Sequence, residues 1–248
     1  MTNKTLNFKY AAGILLVLSI SIGLILGEVI LRFWMDDNIE SESSEPQITF
    51  GKDINQSNHN SENPFDHRSK FEVYCDLKKK GISSFPNIHP RDLLAKNRRI
   101  QIGEEFIFPL SGIAKENTIF CNEWGKYIFF ESDELGFRNP LNIWDSEKIQ
   151  VALIGDSFTH GNCVPELDTI AGNIRKKYPL TLTLGRSGNG PLTEYATLKE
   201  FLPSQKPQFV FWIYYEGNDL TELETERKES FLKNYIDSSF SFGLKNHQ

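Results

Sequence analysis

From Ile149 onward, short apolar runs alternate with helical stretches, and this alternation restricts the fold more than any other feature. "IQVALIG" is a short, β-branched run of the kind buried on both faces of a parallel sheet. A helix is predicted over about 168–178, "LTLTLG" is the next strand, and Leu192–Phe201 the next helix. "PQFVFWIYY" is a third strand, followed by a charged helix from about Leu220 to Tyr235. Strand–helix alternation with tight turns specifies a parallel sheet with right-handed crossovers. The expected fold class is α/β, with helices on both faces of the sheet.

Each predicted strand ends in a polar, glycine-containing turn. The first is Gly155-Asp156-Ser157, the second Gly185-Arg186-Ser187-Gly188-Asn189-Gly190-Pro191, and the third Gly217-Asn218-Asp219. The turns lie about 30 residues apart, the length of one βα unit. Loops at the carboxyl ends of parallel strands line one crevice, so the three turns are expected to converge. There Ser157 is a candidate nucleophile. The Ser157 and Gly188 backbone N–H groups and the Asn218 amide form a candidate oxyanion hole, stabilising charge that develops only in the transition state. Asp156 is expected to fix the nucleophile turn through local hydrogen bonds, and Asp219 to shape polarity beside Asn218. Glu216 and the run Glu222, Glu224, Glu226 are read as solvated surface.

"VALIGDSFTHGNCV", "LGRSGNGP" and "YYEGNDL" resemble the first three sequence blocks of the SGNH (GDSL-type) hydrolases. "SDELGFRNP" is similar to the lead-in of envelope-associated members. The resemblance covers about residues 132–220. It implies a three-layer, flavodoxin-like parallel sheet, Ser157 as nucleophile, Gly188 and Asn218 in the oxyanion hole, and no metal or cofactor. The activity it implies is hydrolysis or transfer of an acyl ester, with acylated envelope glycan as one substrate class. Each motif alone is common as a simple turn; their order, each after a strand, carries the resemblance.

The family pattern also places a histidine near the C-terminus, with aspartate three residues before it. The five histidines are His59, His67, His89, His160 and His247, preceded at that spacing by Gln56, Pro64, Pro86, Ser157 and Leu244. None is aspartate. Family members have five strands in the sheet, whereas three are countable here, leaving an open edge where a fourth would pair. The catalytic histidine is therefore not found in this chain, which reads as cut after its third βα unit and nearly inactive without that segment. A non-catalytic, membrane-anchored binding protein with a degenerate fold of this type is the alternative. A nucleotide-binding flavodoxin-like protein fits less well, because its phosphate loop would replace Gly-Asp-Ser with a hydroxyl- and glycine-rich turn.

The N-terminal part reads differently. Residues 11–27 are uncharged and strongly apolar, and Val29 to Trp34 extends the run past Glu28. About 20 such residues cross a bilayer core. Lys4 and Lys9 precede the run, which predicts a cytoplasmic N-terminus and a periplasmic or extracellular folded part, mildly opposed by Arg32. No A-x-A-like cleavage site follows, favouring an uncleaved anchor over 1–35 rather than a signal peptide. Residues 36–69, rich in Ser, Asn, Asp and Glu, are read as a flexible spacer. Residues 70–148 are read as a small, mainly β segment with a hairpin at Gly125 and one helix near Asp92–Lys96, packing on the base of the later domain rather than forming a lid. Residues 149–248 form the α/β domain. A net charge of −6, with lysine and arginine only in short clusters, argues against a nucleic-acid partner. For Cys75, Cys121 and Cys163, a Cys75–Cys121 bridge and buried free thiols are equally open, and their spacing fits no zinc site.

Overall fold

The computed structural model describes residues 65–95, 99–102 and 104–247. The chain divides into two units, Met1–Glu45 and Pro46–Gln248, and everything described belongs to the second. The predicted anchor and all but the last five residues of the predicted spacer lie outside the described residues. Among the described residues no helix is long and apolar enough to cross a membrane.

The α/β part is built on three parallel strands, β6 (Val151–Gly155), β7 (Thr181–Thr183) and β8 (Phe209–Ile213), in the order β7-β6-β8. Central β6 is buried at every position, which accounts for its unbroken apolar sequence. Alternate side chains serve opposite faces. Val151 and Leu153 pack with Ala171 of helix α4 (Ile170–Arg175), whereas Ala152 and Ile154 join a larger cluster with Leu192, Ala196 and Phe201 of helix α5 (Pro191–Phe201). The molecule is thus mixed α/β, with a parallel sheet flanked by helices.

Strand β8 is different. Its apolar side chains Phe209, Val210, Phe211 and Trp212 are 45% to 53% exposed, although β6, of similar composition, is fully buried. It pairs with β6 alone among the described residues, so the open edge expected from the strand count falls at β8.

The predicted helix over 220–235 is two helices, α6 (Asp219–Glu226) and α7 (Ser230–Lys233), followed by a 3-10 turn at Asn234–Ile236. Glu229 adopts an extended conformation between them, and the second helix buries Phe231 and Leu232 against the core. The solvated reading of the glutamates is corrected as well. Glu216 is exposed as expected, but in the run Glu222 and Glu226, one turn apart on the same face, are buried, and Glu224 alone of the three is exposed.

Before the sheet, residues 65–69 are engaged rather than loose. Asp66 N–H bonds to Gly125 O, and Ser69 caps helix α1 (Lys70–Lys79) in a reciprocal capping box with Glu72. This helix is missing from the sequence reading, although Ser69-x-x-Glu72 is a signature of a helix start. The expected helix appears as α2 (Pro90–Ala95) and the expected hairpin as β4 (Asn117–Cys121) and β5 (Ile128–Glu131) turning at Gly125, while strand β1 (Phe85–Pro86) and a hairpin of β2 (Ile100–Ile102) and β3 (Glu105–Ile107) complete the segment.

This segment packs beside the carboxyl end of the parallel sheet, not on its base. Phe120 and Phe130 pack on the ring of His160, and a Cys121–Cys163 disulfide fastens β4 to the loop after the Gly155-Asp156-Ser157 turn. The pairing removes the Cys75–Cys121 alternative, because β4 ends beside that loop, while Cys75 is a half-buried free thiol on α1. Arg138 lies nearby, donating to Gly161 O and Val164 O and pairing with Glu166 at 3.0 Å.

Candidate functional site

At the end of β6 the chain must turn within one residue. Gly155 (φ +156°) sits so close to the next turn that an added Cβ would lie 2.2 Å from Thr159 Oγ1, so only glycine fits. Asp156 then caps the short helix α3 (Ser157–His160), its Oδ1 accepting from Phe158 N at 3.3 Å. This sets Ser157 on the first residue of the helix, half-buried, at the wall of an open crevice of about 310 Å³. Phe158, Asn162, Asp168, Ile170 and Glu123 contribute to the same crevice. Glu123 comes from the β4–β5 hairpin, so the N-terminal segment forms one of its walls.

The first and third motifs meet at one atom. Ser157 Oγ and Asn218 Nδ2 each donate to Asp156 Oδ2, both at 3.2 Å. The second motif runs alongside, with Arg186 N–H bonding to Gly155 O at 3.2 Å. Its Gly188 has a φ of +84°, a left-handed conformation that favours glycine. Gly188 and Asn218 do not line the crevice that Ser157 faces.

Asp219 is fully buried at the start of α6, where its Oδ2 accepts from Tyr215 N at 2.7 Å. Burial raises its pKa. Asp156, Asp219 and Glu222 each bring a carboxylate oxygen within 4.8 Å of the others. That grouping of acidic groups, the nearest to a metal-ligand set among the described residues, was not legible as a spaced motif. Glu194 of α5 is buried nearby, accepts from Trp212 Nε1 at 2.5 Å, and is pushed up to about 8 by burial. Glu226 reaches from α6 to the start of α5, accepting from the N–H groups of Gly190, Leu192 and Thr193 and from the Thr193 hydroxyl. It supplies the side-chain cap that Gly190, at the N-cap position, lacks.

The histidines are engaged elsewhere or lie apart. His160 is buried, and its Nδ1 accepts from Ser187 N at 3.1 Å, which places the proton on Nε2. Burial, with Arg186 and Arg138 nearby, holds its pKa well below the ordinary histidine value. It is a neutral core ring and makes no hydrogen bond to Ser157. His89 Nδ1 donates to Ser187 O at 2.8 Å, and His67 packs on Phe65 at the surface. His59 lies outside the described residues, as does the side chain of His247. Among the described residues the hydroxyl of Ser157 is therefore held by a carboxylate, not an imidazole.

Comparison with known protein families, with curated proteins and with solved structures finds no match.

Proposed function

We propose that the chain carries the site of an SGNH-type serine ester hydrolase or O-acyl transferase. It would be anchored by an N-terminal helix and act on an extracytoplasmic acyl ester, with acylated envelope glycan as one substrate class. The observation that carries this reading is the shared hydrogen bonding of Ser157 and Asn218 to Asp156 at the edge of an open crevice. In the proposed reaction the Ser157 hydroxyl attacks the acyl carbon, its proton passes to a base, and the alcohol leaves. Asn218 and the backbone N–H groups of Ser157 and Gly188 receive the oxyanion. Water, or a second alcohol in a transferase, then takes the acyl group from Ser157. An imidazole from outside the described residues serves as base.

The test is chemical rescue. The purified chain is assayed with p-nitrophenyl acetate, with and without added imidazole, and Ser157 is probed with a fluorophosphonate. Rescue that disappears in Ser157→Ala supports the reading. Equal rates in wild type and variant, with no labelling of Ser157, favour a second reading, a non-catalytic binding protein with the same crevice. The carboxylate in place of an imidazole beside Ser157 is the observation on that side.

A further inference from the structure

Three arginines are deeply buried in the described structure, and they are treated differently. Arg138 and Arg175 both pair with Glu166. Arg186 is 3% exposed and has no carboxylate within ion-pair distance among the described residues. Its Nη2 donates to Ile88 O at 2.7 Å, while its Nε has no hydrogen-bond partner. A guanidinium offers five N–H donors, and a buried cation left without a counter-charge is costly. Burial accordingly draws its pKa down to about 10.

Arg186 lines a cavity of about 140 Å³ whose wall is otherwise mostly apolar, with Phe85, Leu93 and Pro109 among its residues. Ile88 and Ile113, about half exposed, also line it. Ser157 is not part of it.

We propose that this cavity binds a small amphiphilic monocarboxylate, its carboxylate on Arg186 and its hydrocarbon body between Phe85, Leu93 and Ile113. A cavity of about 150 Å³ accepts a benzene-sized body, so a chain of about six carbons fits. An inorganic anion would leave the apolar wall unused, and a neutral alcohol would leave the cation unpaired. The site is independent of the ester-cleaving reading, since no residue of that reaction lines it.

The full chain is titrated with sodium hexanoate, with 1-hexanol and hexylamine as controls, by calorimetry and by ligand-observed NMR. Saturable hexanoate binding is expected, at least about tenfold tighter than hexanol, because a charge-assisted bond to Arg186 separates the two ligands. Arg186→Met is expected to abolish that preference, and Ser157→Ala to leave it intact. Should Arg186→Met fail to fold, Ile113→Trp, which fills the cavity from its rim, is expected to remove hexanoate binding. Equal binding of hexanol, no saturable binding, or hexanoate affinity retained in Ile113→Trp would each overturn the proposal.

Discussion

Asn218 and Asp156, 62 residues apart in sequence, are joined by a hydrogen bond of 3.2 Å from the amide to the carboxylate. The bond closes the first and third strand-end turns onto each other. It also brings the amide to the same carboxylate oxygen that Ser157 Oγ bonds. On the proposed chemistry, Asn218→Ala should lower the imidazole-rescued, Ser157-dependent rate by about 10²–10³, the usual effect of losing one oxyanion donor. Steady-state kinetics beside a thermal melt decide this. A rate unchanged in a folded variant would remove Asn218 from the oxyanion hole.

Glu226 tests the architecture rather than the chemistry. It satisfies three backbone N–H groups at the start of α5. Glu226→Ala leaves those donors buried and unpaired, and should cost about 1–3 kcal/mol in a urea melt. Glu224→Ala, on the exposed face of the same helix, should stay within about 0.5 kcal/mol. Similar losses from both would return the glutamates to the surface role the sequence suggested.

Burial also gives stability a direction with pH. The Glu194 pKa is raised to about 8, far above its value in an unfolded chain. The folded state therefore holds a proton that the unfolded state releases above roughly pH 4.5, and stability falls as pH rises from there to about 8. Burial likewise raises Asp133 to about 6, and raises Asp219 and Glu226, so these groups act in the same sense. Glu194→Gln, which can still accept from Trp212, should raise the melting temperature at pH 8 and have little effect near pH 4.5. A melting temperature that climbs from pH 6 to pH 8 in the wild type would contradict this account.

The disulfide makes a separate prediction. Cys121 and Cys163 lie 42 residues apart in sequence, and closing a loop of that size stabilises by about 2–4 kcal/mol. Cys121→Ser should lose about that much. The unfolded, unreduced wild-type chain should take up one maleimide by mass spectrometry, at Cys75. Uptake of three would show the bridge absent.

The parallel sheet was legible because its signals are local. Apolar runs such as 151–155 have the right length, and each ends in a turn that only small or polar residues can make. What escaped the reading depends on elements meeting in three dimensions. Glu226 resembles any solvated glutamate until α6 is laid across the start of α5. Cys163 becomes the partner of Cys121 only once the β4–β5 hairpin is set beside the Gly155-Asp156-Ser157 turn. The placement of residues 70–148 beside the crevice rests on Phe120, Phe130 and Arg138 finding their partners, and no periodicity encodes that. Helix α1 is the exception, since its capping box was readable in the sequence.

The grip of Glu226 reaches beyond the helix end it caps. Helix α5 starts two residues after Asn189, and α6 starts at the residue after Asn218. One carboxylate thus ties the second strand-end loop to the third. Loops that open independently exchange their amide hydrogens at unrelated rates, whereas a shared fastening makes them open as one cooperative unit. In native-state hydrogen exchange the amides of Gly190, Leu192 and Thr193 should share an opening free energy with the first turn of α6. Both halves of the site would then be assembled, or lost, together.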